Sequence, residues 1–268
     1  MVKSCISLTA AFFLFIAGTN AQKVEVGVNA GFTNYTGDIA PTLVLKETRV
    51  GAGIFARYNF NNTWAFVASA NQMRVGGDDA NFSFNAPRNI SFRTDITEFA
   101  GIFEFNYFKY GTGVLDGHFT PYVFFGLGVA LFSPKGEYNN KWYNLREYQT
   151  EGKENAYGKT TVVLPMGIGL KWMPNKKTSI EWNLGLRKTY TDYLDDVSKT
   201  YPDIGKQLEQ KGEVAAALSD PSINWENGGF QNKSGYQRGN PDIKDWYFIT
   251  SVSITWRIFT RSKCSRFY

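Results

Sequence analysis

The sequence is poor in the residues from which most soluble enzymes assemble their sites. In 268 residues it has one histidine, His118, and two cysteines, Cys5 and Cys264. Beyond residue 21 no apolar run approaches the roughly 18–20 residues that a membrane-spanning helix needs. The most apolar window, Tyr122 to Phe132, is interrupted by Gly126 and Gly128 and reads as a strand. Nucleophilic catalysis needs a base beside the nucleophile, and His118 falls in a short turn, so a hydrolase lacks its parts. The formal charge of +5 is modest, which gives no footprint for nucleic acid.

The amino terminus has the layout of an export signal: Lys3, an apolar stretch from Ile6 to Gly18, then Thr19-Asn20-Ala21 before Gln22. Residues 1–21 are therefore expected to be a signal peptide cleaved after Sec export, with 22–268 as one domain. Cys5 leaves with the signal, so Cys264 alone remains, and neither an internal disulfide nor a cysteine metal site is available.

What is abundant is aromatic residues, at 16%, and glycine, at 26 residues, in a chain whose mean hydropathy is still negative at -0.31. The arrangement explains the combination. From Val24 to Phe32, apolar Val24, Val26, Val28, Ala30 and Phe32 alternate with Glu25, Gly27, Asn29 and Gly31. A period of two is a strand with one apolar face. The pattern returns over Arg49–Phe60, Thr94–Phe108, Tyr122–Phe132, Thr161–Trp172, Ile180–Arg187 and Trp246–Ile258, with a less regular segment from Trp64 to Val75 whose faces are ambiguous. These make about eight strands of a length that crosses a hydrocarbon core when tilted. The fold class expected is all-β: a transmembrane antiparallel barrel of about eight strands, located in a bacterial outer membrane and bathed in its lipids. A lipocalin-like barrel would turn the aromatic face inward and leave Glu98 and Arg187 with glycine ladders outside, which disfavours it.

Connections alternate in length. Asn59–Thr63, Lys109–His118 and Met173–Thr178 are short; Asn34–Thr48, Gly76–Ser91, Ser133–Gly158 and Tyr190–Lys244 are long. Short periplasmic turns and long extracellular loops give this alternation, with both termini in the periplasm. In the last loop Pro202-Asp203, then Ile204, Leu208, Val214 and Leu218, predict a short helix interrupted near Gly212.

The polar strand faces send Glu25, Arg57, Glu98, Glu104, Lys171, Glu181, Arg187 and Arg257 into the lumen. In so narrow a barrel charges of both signs are expected to pair and plug it. Asp192, Asp195 and Asp196 lie close together and are the weak candidates for a hard cation such as Ca²⁺, but they lack the spacing and glycine of a dedicated loop. No cofactor is implied. Basic residues fall at the short-turn end: Lys176 and Lys177 in one turn, and Arg261, Lys263 and Arg266, with Phe267 and Tyr268, in the tail.

The string Arg187 to Tyr201, RKTYTDYLDDVSKTY, resembles a Bacteroidota family of small outer-membrane barrels that includes PorG, a component of the type IX secretion system. So do Asn34–Asp38 (NYTGD), Phe119–Val123 (FTPYV), Pro165–Lys171 (PMGIGLK), Arg238–Pro241 (RGNP), Asp245–Tyr247 (DWY) and the ending Cys264–Phe267 (CSRF). That ending has Ser265 where the family usually has proline. The resemblance implies a non-enzymatic barrel subunit that anchors or scaffolds a periplasmic ring of the secretion or gliding complex, a ring whose building blocks include a lipoprotein. The partner contacts are then expected at Lys176, Lys177, Arg261, Lys263, Arg266, Phe267 and Tyr268, because a periplasmic ring reaches only that rim. The other reading of the residues is a free-standing barrel that binds or passes a small ligand. Asp192, Tyr193, Leu194, Asp195, Asp196 and Arg238 are expected to organise the long last loop, the aspartates by accepting backbone N–H groups or pairing with Arg238, and Tyr193 and Leu194 by packing under the helix that begins near Pro202.

Overall fold

The computed structural model describes residues 24–111, 117–152, 157–223 and 233–258. The expected signal segment and the tail residues Arg261, Lys263, Cys264, Arg266, Phe267 and Tyr268 lie outside them. Eight strands close into an antiparallel barrel: β1 (Val24–Thr36), β2 (Arg49–Asn59), β3 (Trp64–Asp78), β4 (Ser91–Asn106), β5 (Phe119–Tyr138), β7 (Thr160–Asn175), β8 (Thr178–Thr189) and β9 (Trp246–Arg257). Each pairs with its neighbour in sequence, β9 pairs back to β1 from Glu25↔Arg257 to Thr36↔Trp246, and β4 pairs with β5. A four-residue strand, β6 (Lys141–Asn144), extends the β5 hairpin beyond the barrel proper.

The alternation read from the sequence sets which side chains face lipid. Phe99, Phe103, Val123, Phe125, Leu127, Ile168, Trp172, Ile254 and Trp256 are all exposed on the outside, while Glu25, Glu98, Lys171 and Arg257 are buried within. Trp64, Phe105, Tyr107, Phe119, Trp172 and Trp256 gather at the short-turn end of their strands, the place of an interfacial aromatic girdle. This is a transmembrane barrel.

The interior departs from expectation in one respect. It is not only glycine and polar groups: Phe55, Val67, Ala100, Ile102, Tyr122 and Phe124 form an apolar belt inside it. The glycines of facing strands make the room. A Cβ on Gly169 would stand 2.5 Å from the Tyr122 ring, and one on Gly167 would stand 2.6 Å from the Phe124 ring. This belt also explains the ambiguous third strand. Val67 and Met73 face inward while Phe66, Ala68 and Ala70 face outward, so both faces of β3 carry apolar residues.

Several strands run past the expected boundaries, β1 to Thr36 and β7 to Asn175 by a few residues and two others into the long-loop end. β3 continues to Asp78 and β5 to Tyr138, because the hairpins rise above the apolar band, and there the outward positions become polar. The last long connection holds helices at Ile204–Lys211 and Glu213–Ser219, broken at Gly212 with φ of 81°, as the spacing of apolar residues predicted. The Asp203 side chain accepts from the Lys206 N–H at 3.2 Å and starts the first helix.

Candidate functional site

Two polar constructions fill the barrel, one along the lumen and one across its long-loop end. In the lumen all eight charged residues anticipated from the alternation are buried and joined. Arg57, from β2, lies at the centre: Nη1 is 2.9 Å from Glu25 and 2.5 Å from Glu181, and Nε is 2.9 Å from Glu104. Arg257 meets Glu25 at 2.7 Å, Lys171 meets Glu104 at 2.5 Å, and Arg187 meets Glu98 at 3.1 Å. Four carboxylates (Glu25, Glu98, Glu104, Glu181) thus face four cations (Arg57, Lys171, Arg187, Arg257), and the formal charges cancel. Tyr247 Oη also donates to Glu98 at 2.5 Å and Thr255 Oγ1 to Glu181 at 3.0 Å. The space left between this network and the apolar belt is a cavity of about 70 Å³, room for a few waters and not a channel.

Above it a plug closes the long-loop end. Leu194 and Val197, fully buried, enter the barrel mouth and pack with Tyr35, Ile39, Met73, Val75, Phe92 and Phe132. This corrects the expectation that Leu194 lies under the last-loop helix: Ile204 makes its own small cluster with Ala216 and Ile223. The reason is the length of the long connection, which dips into the mouth between Thr191 and Ser198 before it rises to the helices. Tyr193 also packs elsewhere, stacked on Tyr157 with centroids 4.3 Å apart.

Around this plug seven carboxyls gather about two guanidiniums: Asp38, Asp79, Glu151, Asp192, Asp195, Asp196 and Asp245 against Arg88 and Arg238, with the half-buried Lys244 nearby. Arg238 Nη1 donates to the Asp196 carbonyl and to Glu151 Oε1, and Glu151 in turn accepts the Ser198 N–H at 2.8 Å. Arg88 pairs with Asp79 at 2.6 Å and donates to the carbonyls of Asp38 and Arg238, which ties three connections together. Thr150 and Tyr157 hydroxyls donate to the Asp196 carboxylate.

The excess of acid is handled by protons. Tyr35 Oη lies 2.6 Å from Asp195 Oδ2 and 2.7 Å from Asp245 Oδ1. A hydroxyl has one proton to donate, so the second contact is a hydrogen bond only when that carboxyl is protonated and donates in turn. Burial holds both Asp195 and Asp245 well above the usual carboxylate range, and the charge of Asp195 raises Asp245 further. The remaining oxygens are taken: Leu194 N–H donates to Asp245 Oδ2 and Val197 N–H to Asp195 Oδ1, both at 2.9 Å. Burial likewise lifts Asp196 to about 6, against the pull of Arg238, and Asp192 to about 7. Neither Asp192 oxygen accepts a hydrogen bond of ordinary geometry.

Asp195 and Asp196 therefore turn to different partners, Asp192 to none of them, and the three share no common point. Among the described residues no set of three His, Cys, Asp or Glu side chains converges on a metal position. Asp195 accepts the Val197 N–H, and Arg238 donates to the Asp196 carbonyl, within the stretch expected to be ordered by them. Their partners Tyr35, Glu151, Tyr157 and Asp245 were not assigned a role by the sequence; Tyr35 and Asp245 sit in the NYTGD and DWY strings, whereas Glu151 and Tyr157 carry no local signal. At the opposite rim, Lys176 and Lys177 are exposed in the β7–β8 turn, and His118 is an exposed turn residue whose ring contacts the Met173 carbonyl at 3.1 Å.

Comparison with known proteins adds a family and a likeness of fold. A family profile described as a domain of unknown function, DUF6089, matches residues 5–210. Among solved structures, Neisserial surface protein A is similar over 88% of this chain and 97% of its own, at 8% identity and a TM-score of 0.42. The attachment invasion locus protein Ail of Yersinia pestis is similar over 87% and 98%, at 12% identity and 0.40. OprG, an outer-membrane protein of Pseudomonas aeruginosa, is similar over 88% and 97%, at 9% identity and 0.36. No curated protein matches the sequence.

Proposed function

Because the chain belongs to the DUF6089 family, whose description names no activity, we propose from its own residues that it is a non-enzymatic outer-membrane barrel that anchors the periplasmic ring of a type IX secretion or gliding complex. The observation that carries the fixture part of this reading is the sealed interior. Every lumen charge is neutralised by a neighbour, and a barrel so filled serves as a membrane fixture rather than a conduit. The secretion part rests on the sequence resemblance, and one arrangement supports it. Four of the strings that carry the resemblance, NYTGD, TDYLDDVS, RGNP and DWY, meet in the single cluster that closes the long-loop end. They are spent on holding the barrel shut, which leaves the short-turn rim for a partner.

That rim offers the exposed Lys176 and Lys177 among the described residues, with the basic tail of the sequence beyond Ile258. Rim charges govern association rate and salt dependence more than final affinity. Lys176→Glu with Lys177→Glu should therefore reduce recovery of the ring components from detergent-solubilised membranes most strongly at low salt, while the barrel still shifts on a gel with heating. Co-purification at the level of the unaltered chain would count against the anchoring reading. The orientation has its own check: a cysteine at Phe84, in the exposed long connection, should label on intact cells with an impermeant reagent, and one at Lys176 should not.

A second reading, a free-standing barrel that binds a small ligand, is favoured by a cleft of about 980 Å³ outside the plug, where Phe84, Tyr236, Lys244 and Trp246 are among the lining residues. Loss of ring components without loss of any cellular phenotype would move the account to it.

A further inference from the structure

The outer face of the barrel is not the same all round. Between β2 and β5 the outward rows, read from mid-membrane toward the long-loop rim, are Ala70–Phe99–Val129, then Gln72–Thr97–Leu131, then Arg74–Asp95–Ser133, then Gly76–Arg93–Lys135. The change from apolar to charged takes two steps along the strand. With a rise near 3.3 Å per residue and a tilt near 45°, the Arg74 row stands about 5 Å and the Arg93 row about 9 Å above Leu131. This is the depth of lipid headgroups.

The charges in these rows do not balance. Asp95 serves two cations, accepting from Arg74 Nε at 2.6 Å and from Lys135 Nζ at 2.8 Å. Arg93 has no carboxylate within ion-pair distance among the described residues, and its Nε is buried without a hydrogen-bond partner. Its guanidinium lies over the Trp142 ring, 4.3 Å from the centroid. Arg93 and Lys135 are also directly opposed across the β4–β5 pair. Like charges so placed repel, and the repulsion is relieved by an anion between them. On the far side of the barrel Lys188 points outward beside Trp246, a single cation at that position of the rim among the described strand residues.

We propose that this patch binds the phosphate of a membrane lipid in the leaflet at the long-loop end, with Arg93 and Lys135 as the direct contacts and Arg74 supporting through Asp95. The fork of an arginine guanidinium matches phosphate oxygens bidentately, and with no carboxylate in reach the terminal nitrogens of Arg93 carry an uncompensated charge to the rim. Phe99, Val129 and Leu131 below are exposed and apolar, a surface for the acyl chains of the same molecule. The inference rests on the barrel's place in a membrane and not on what its other rim holds.

Native mass spectrometry of the purified full chain, with bisphosphorylated lipid A added in maltoside, tests this. The unaltered chain should retain the lipid, and Arg93→Gln with Lys135→Gln should weaken retention by about tenfold or more, as expected for losing two cations at a membrane surface. Lys188→Gln should leave it unchanged. Dephosphorylated lipid A should bind the unaltered and doubly altered chains equally weakly. If the double variant loses its heat-shifted band, Arg93→Lys with Lys135 intact takes its place; it keeps the charge, loses the fork, and should show an intermediate loss. Equal retention by the unaltered chain and the variants would overturn the proposal. So would displacement of the lipid by inorganic phosphate at equal concentration, which would mark a site for the free ion.

Discussion

The lumen and the cap are both buried, both crowded with charge, and built on opposite principles. In the lumen, four cations answer four carboxylates, and strand geometry fixes each side chain in place. In the cap, seven carboxyls share two guanidiniums, and part of the difference is met by a proton shared at Tyr35 between Asp195 and Asp245 and by the raised affinity of Asp192 and Asp196 for protons. The lesson is about who supplies the compensating charge. Strands with a strict inward face supply it from the chain, whereas a long connection that folds back into the mouth brings its acids together and takes protons from solvent. The second construction is therefore the one that responds to pH.

The largest expected effect separates them at the lumen. Arg57→Met removes the one cation that touches Glu25, Glu104 and Glu181 together. Glu25 and Glu104 keep Arg257 and Lys171, but Glu181 is left with only Thr255 among these partners. Breaking a buried pair by deleting one member costs about 3–5 kcal/mol. The urea midpoint of the compact gel band should fall accordingly; an unchanged midpoint would show that the lumen charges are solvated.

A smaller effect distinguishes protonated from charged acid in the cap. In Asp245→Asn the amide can donate to Tyr35 Oη while its oxygen accepts the Leu194 N–H, so every bond of a protonated Asp245 is reproduced. Asp245→Ala reproduces none. Limited proteolysis of the connection between Tyr201 and Lys244 should be near normal in the first variant and faster in the second, with the barrel band intact in both. Equal sensitivity would mean that Asp245 is charged and that the proton sits elsewhere.

The smallest effect is the pH dependence itself. A carboxyl whose pKa is raised on folding binds more protons folded than unfolded, so its contribution is fullest below the ordinary range near 4 and is lost as pH rises through the folded value. With Asp196 at about 6 and Asp192 at about 7, the cap should loosen between pH 5 and 8 while the strands do not. Hydrogen exchange, corrected for its intrinsic rate, should show the change in residues 190–201 alone, and Asp192→Asn should flatten its upper part. A parallel change in the strand amides would remove the contrast.

The legibility of the molecule divides along the same line. The barrel was readable because a period of two names a face: the same alternation that put Phe99 and Phe103 outside put Glu98 and Glu104 inside, and local pattern sufficed. The reading failed where both faces of β3 are apolar, and where β3 and β5 leave the membrane, since Arg74, Asp95 and Lys135 then occupy outward positions and break the pattern. The cap was legible only as an acidic string. Tyr35 is 160 residues from Asp195 and 210 from Asp245, and no spacing along the chain announces a contact made by barrel closure. Leu194 was misplaced for the same reason, because a connection's path into the mouth depends on the opening that waits for it.

The account depends most on the barrel being closed along its length, by the neutral lumen below and by the plug above. Planar-bilayer recording of the purified chain tests that directly. At both pH 5 and pH 8 the account predicts no steady openings, since the loosening of the cap leaves the Arg57 network in place. Stable, high-conductance openings at either pH would contradict it.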